Sequence, residues 1–220
     1  VLVVLLSPLL PIITFLAFCL RKSSKSLWVI FIYTLLEFFT DIFQSSTKWG
    51  NDHNFEIFGI FEIVEYSMFA YFFYLSIDNR VIKKIIVFIS ILILLLLTIT
   101  FIKSEKREFD SITASVESIA IIGLSLIYFF EQINKPQDNF IYSSPNFWIV
   151  IAFMIYMSGT LFLFIIANSL STKEMEKYWA INNLSNVITN IIFCIAFLVN
   201  RFVSRSPILE KPYEDVLENP

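Results

Sequence analysis

Residues Phe55–Ile77 read FEIFGIFEIVEYSMFAYFFYLSI, and the reading of this stretch decides the fold class. As a helix rising about 1.5 Å per residue, it covers a bilayer hydrocarbon layer about 30 Å thick. Yet it contains Glu56, Glu62 and Glu65. Glu62 and Glu65 share one helical face. A carboxyl is strongly disfavoured against lipid, so that face is expected to look inward, onto protein or a wet hollow.

The rest of the chain has the same character. Of its 220 residues 57% are hydrophobic, 17% aromatic and only 16% charged, whereas a soluble domain is about 45–50% apolar and about 25% charged. The composition predicts an all-α, polytopic membrane helix bundle embedded in a lipid bilayer. Four glycines and the lack of sustained apolar–polar alternation argue against a transmembrane β-barrel. With a net charge of -3 and no basic stripe, nucleic acid is not an expected partner. Cys19 and Cys194 both fall in apolar segments and read as packing residues, and nothing points to a metal or a cofactor. The phrase LAFC ending at Cys19 matches a lipoprotein cleavage box poorly, because Phe18 stands where a small residue is needed. Opening on Val1, the sequence is expected to lack its natural start.

Seven spans are expected, at about 1–20, 27–43, 55–77, 85–102, 111–130, 147–167 and 179–198. Pro8 and Pro11 permit a bend or an irregular first turn in the first. The fourth holds nothing more polar than Ser and Thr and can face lipid on most sides. Residues 1–200 thus make a seven-helix transmembrane domain, and 201–220 a short polar cytoplasmic tail. Of the 16 Lys and Arg, ten fall in loops on the side of Arg21 and the tail, and six on the other. Positive charge collects in the cytoplasm, so the expected topology is N-out, C-in. Trp28, Trp148 and Trp179 open spans, where interfacial belts place Trp.

This topology sets a depth for each polar group. At about 1.5 Å per residue, Glu37, Glu62, Glu117, Thr160 and Asn186 all lie roughly 9–10 Å below the outer surface. Five spans therefore contribute a polar group at one level. The last span, WAINNLSNVITNIIF, puts Asn182, Asn186 and Asn190 on one i, i+4, i+8 row. Asn donates and accepts, so it can partner a carboxyl in either protonation state. No Lys, Arg or His lies well inside a span, so the carboxyls are either neutral or compensated by water or a bound cation. The expected site is an outward-facing acidic cavity that binds a small ligand, a cation or a proton. Its residues are Glu37, Glu62, Glu65, Glu117, Thr160, Asn186 and Asn190; Asp41 and Glu56 lie near the outer boundary, as its rim or simply hydrated.

Several chemistries fail on the residues. A retinal protein needs a mid-helix lysine, and a histidine-ligated zinc hydrolase needs more than the lone His53. Ser158, in MSGT at Met157–Thr160, has no base near it and reads as small-residue helix packing. A carboxylate-only lipid-modifying enzyme using Glu37, Glu62 and Glu117 stays open. The second and sixth spans open alike, LWVIFIY and FWIVIAF, and the third and seventh carry the polar rows. With the fourth as linker, this suggests a 3+1+3 arrangement with parallel triplets.

The segments SITASVESIAII, PNFWIVIAFMIYMSGTLFLFIIANSL, WAINNLSNVITNIIFCIAF and FEIVEYSMFAYFFY resemble a group of uncharacterised bacterial seven-helix membrane proteins. The genes of that group often stand beside sensor histidine kinases or response regulators. The resemblance implies a sensory input role in the bacterial inner membrane, exerted through a separate histidine kinase or other signalling protein, and it brings no catalytic or binding residues with it. The leading expectation is a signalling-input protein. A small proton- or cation-coupled transporter and a carboxylate-dependent lipid-modifying enzyme are the alternatives.

Overall fold

The computed structural model describes residues 2–20, 23–47, 53–103, 111–135, 141–166 and 172–203. The described residues form α1 (Leu2–Leu6), α2 (Leu9–Phe18), α3 (Lys25–Ser46), α4 (Asn54–Ser76), α5 (Arg80–Lys103) and α6 (Ser111–Asn134). A 3-10 turn (Ile141–Ser143), α7 (Pro145–Ile166) and α8 (Thr172–Val203) complete them, and no strand occurs among them. Six helices, α3 to α8, are long and apolar enough to cross a membrane. By length and composition the chain is an integral membrane protein built as a helical bundle.

The first expected span is not one helix. Pro8 has no N–H to give the Val4 carbonyl, so the ladder breaks there. Ser7 satisfies that carbonyl instead, with its N–H at 3.1 Å and its hydroxyl at 2.8 Å. The chain restarts as α2, and Ser7 is left at the joint with only 4% of its surface exposed. At the other end α8 runs on through Val203, past the expected boundary at 200. Residues 204–220, which hold most of the expected tail, lie outside the described residues.

The packing traces a ring through α2, α3, α4, α6, α7 and α8, with α1 lying against α8 and α3. Its centre is aromatic. Phe69 of α4 meets Phe153 of α7 at 4.1 Å between centroids, and Phe15 of α2 stacks on Phe31 of α3 at 4.3 Å. The main neighbours of α5 are α4 and α6, and 22% of its apolar window is buried against 44% for α3. Val81, Phe88, Ile91, Leu95 and Ile102 all face outward from it. Such exposure is what a span that can face lipid on most sides requires. Small residues set two close approaches. A side chain at Gly59 would meet the Phe101 ring of α5, and one at Gly159 would run into the Ser185 side chain of α8. The MSGT phrase therefore does what small residues do between membrane helices.

Candidate functional site

The carboxyls reach the interior from three helices of the ring. On α3, Tyr33 and Glu37 are one turn apart and both buried, with 5% of Glu37 exposed. On α4, Glu62 and Glu65 are each 7% exposed, so the face they share does look inward. Glu117 of α6 is 3% exposed. The i, i+3 and i, i+4 spacings that aim these groups at one side of each helix are all visible in the sequence.

Two cross-helix connections organise them. Asn186 of α8 donates from Nδ2 to Glu37 Oε1 at 2.5 Å, while its Oδ1 accepts from Asn190 Nδ2 at 2.9 Å and from the Ser7 hydroxyl at 3.3 Å. Asn190 also donates to Ser7 Oγ at 3.0 Å. The broken N-terminal segment, α3 and α8 are thereby tied through one polar chain. In the second connection the Tyr33 hydroxyl donates to Glu65 Oε1 at 2.7 Å, joining α3 to α4. Glu117 lies within hydrogen-bonding reach of Glu62 and within electrostatic reach of Glu65. Tyr156 of α7 lies within electrostatic reach of Glu65, Glu37, Glu117 and Asp41. The two connections and the Glu62–Glu117 pair therefore belong to one layer.

Several acceptors in this layer remain open. Glu37 Oε2, Glu117 Oε1, Asn182 Oδ1 and Asn190 Oδ1 are buried and accept no hydrogen bond among the described residues. All four are oxygens in want of a donor. The described basic side chains, such as Lys25, Arg80, Lys83, Lys103 and Arg201, sit at helix ends. No group of three or more His, Cys, Asp or Glu side chains among the described residues is placed to hold a metal ion.

Of the seven residues expected at the site, Glu37, Asn186 and Asn190 are hydrogen-bonded to one another in sequence, and Glu62, Glu65 and Glu117 form the adjoining acidic group. Thr160 is fully buried, but its hydroxyl bonds back to the Tyr156 carbonyl at 2.9 Å in its own helix and bonds to no carboxyl among the described residues. Asp41 and Glu56 are only partly buried. The loops that would surround an outward hollow, 48–52, 104–110 and 167–171, lie outside the described residues. Tyr33, Tyr156 and Ser7 were not anticipated. The two tyrosines stand four residues before Glu37 and Thr160, so the helical period could have found them. Ser7 carries no periodic signal, and only the proline that follows it marks the place.

Comparison of the chain with protein-family models, with curated proteins and with solved structures finds no match.

Proposed function

We propose that this chain is a seven-span, N-out, C-in protein of the bacterial inner membrane that binds a proton or small cation in its carboxyl layer and passes that state to a separate signalling protein. The observation that carries the reading is the buried chain Glu37–Asn186–Asn190–Ser7 beside Tyr33–Glu65, which joins several helices with no basic partner among the described residues. Buried oxygens that lack donors call for a donor, and a proton needs no coordination cage. Glu62 lies within hydrogen-bonding reach of Glu117, and two carboxyls that share a site repel each other when both are charged. Gain or loss of one proton then changes which groups donate, and the helices they tie respond as a unit. The outlying position of α5 supports its role as linker in a 3+1+3 arrangement. The likeness to proteins encoded beside histidine kinases supports a kinase or a similar protein as the recipient.

Proton-coupled transport is the second reading. It is favoured by the break at Ser7–Pro8, because interrupted helices beside polar groups are a transporter feature. Infrared difference spectra of the purified protein in lipid, taken between acid and alkaline conditions, test the common premise. Carboxyl bands should appear and be lost singly in Glu37→Gln, Glu62→Gln, Glu65→Gln and Glu117→Gln. Spectra without such bands would end the proton reading. Pairing with the candidate kinase then separates the rest. A signalling protein shows altered partner output in Glu62→Gln with no flux, whereas a transporter loses uptake in proteoliposomes. Turnover of lipid by the purified protein would replace both with the enzyme. A reporter fused at the C-terminus that proves active outside the cytoplasm would overturn the topology.

A further inference from the structure

The outer face of α4 and α5 carries a feature that the carboxyl layer does not use. Where α4 ends and α5 begins, a groove of about 490 Å³ is lined by Arg80, Lys83 and Lys84 together with Tyr74, Val87 and Phe88. A second groove of about 310 Å³ shares Tyr74, Val87 and Ile91 with it and continues between the two helices past Ala70, Tyr71 and Leu94. The first has a cationic mouth. The second is an apolar trough. From Lys84 to Leu94 the run along α5 is about 15 Å at about 1.5 Å per residue, half of a hydrocarbon layer about 30 Å thick.

The cations at the mouth are not balanced by neighbouring acids. Asp78 pairs with Lys135 at 2.7 Å, and the Glu131 carboxylate accepts the backbone N–H groups of Asp78 and Asn79 at 3.0 and 2.8 Å. Asn79 Oδ1 caps α5 by accepting from Val81 N at 2.8 Å. The acids are engaged and the helix start is satisfied. Arg80, Lys83 and Lys84 form no ion pair among the described residues, and the one charge contact at the mouth is Lys83 Nζ over the Tyr74 ring at 5.1 Å. Val87 and Phe88 are 44% and 64% exposed just below them.

We propose that these joined grooves bind an anionic phospholipid, its phosphate held by Arg80, Lys83 and Lys84 and one acyl chain lying in the trough against Ile91 and Leu94. Charge selects the headgroup, and the trough selects a lipid over a free anion. Basic clusters beside spans attract anionic lipid by amounts that correspond to about a fivefold preference per Lys or Arg. The site stands apart from the carboxyl layer and holds or fails independently of the function assigned to it.

The test is native mass spectrometry of the full purified chain equilibrated with equal phosphatidylglycerol and phosphatidylcholine. The wild type should retain one phosphatidylglycerol in preference. Arg80→Gln, Lys83→Gln and Lys84→Gln should each lower that preference about fivefold, and Ile91→Trp, which fills the trough at an exposed position, should abolish retention with all three charges intact. Lys103→Gln, at the far end of α5, should leave the preference unchanged. Unfolding temperatures in phosphatidylcholine alone, equal to wild type, show that the variants are folded. Equal retention of the two lipids overturns the proposal, as does an equal loss on Lys103→Gln. Displacement of the lipid by millimolar inorganic phosphate, or full retention in Ile91→Trp, overturns it in favour of a free-anion site.

Discussion

Asn186→Leu is the substitution that most directly examines the polar layer. The side chain donates to Glu37 Oε1 at 2.5 Å and accepts from Asn190 and Ser7 at 2.9 and 3.3 Å. After the change Asn190 keeps Ser7 at 3.0 Å, and Ser7 keeps the Val4 carbonyl at 2.8 Å. The uncompensated loss falls on Glu37, whose other oxygen already accepts nothing among the described residues. A stranded buried acceptor costs about 1–3 kcal/mol, and a hydrogen bond between membrane helices averages about 0.6 with a maximum near ~1.7 kcal/mol. The expected destabilisation is therefore about 1–2 kcal/mol, a fall of about 2–8 °C in unfolding temperature for a chain of this length. Glu37→Leu removes the demand itself, so Glu37→Leu/Asn186→Leu should lose less than the two single changes together. The assay is unfolding of the purified protein in mixed micelles across the full cycle. A double variant whose loss equals the sum within about 0.5 kcal/mol would refute the coupling and with it the polar chain.

Three further outcomes follow from other contacts. Tyr33→Phe removes the donor to Glu65 Oε1 and should cost about 1–2 kcal/mol, while Glu65→Gln, which still accepts from Tyr33, should cost less; chemical unfolding of both variants checks the order. Gly159→Leu drives a side chain into Ser185 and should destabilise by about 1–3 kcal/mol or more, read as a lower unfolding temperature and a loosened α7–α8 contact by cysteine crosslinking. Lys135→Ala breaks the ion pair with Asp78, whose partners are 29% and 77% exposed. Its effect on stability should stay under about 1 kcal/mol and shrink further in high salt.

The membrane class was legible because seven apolar stretches leave no soluble alternative, and six of them appear as long helices. The inward aim of Glu62, Glu65 and Glu117 was legible too, since a helix has one period and lipid permits one answer. The first span was harder. Pro8 announced an irregularity, but whether a proline bends a helix or ends it depends on who takes the freed carbonyl. Here Ser7 does, and that choice is a tertiary matter because Ser7 is also tied to Asn186 and Asn190. Thr160 illustrates the opposite failure. Depth placed it with the carboxyls, yet a hydroxyl can satisfy itself on the carbonyl four residues back, so equal depth did not become contact. Tyr33 and Tyr156 escaped notice because a tyrosine ring is apolar, and only the position of its hydroxyl shows that it joins a polar layer.

The remaining question is whether the polar layer serves the fold or something beyond it, and stability itself can decide. Interhelical hydrogen bonds in membranes return little, so a bundle already packed through Phe69, Phe153 and Phe193 gains little from a carboxyl at its centre. Buried polar groups replaced in full by apolar ones of similar size often leave a protein as stable or more so. If Glu37→Leu/Asn186→Leu unfolds at or above the wild-type temperature, the pair is not needed to hold α3 to α8, and its presence at the bundle centre needs another cause. That same variant, folded and intact, should then have lost its part of the infrared carboxyl signal and its effect on a partner. A double variant weaker than wild type by about 3 kcal/mol would instead mark the pair as a structural tie, and the reading of the layer as a proton site would have to rest on Glu62, Glu65 and Glu117 alone.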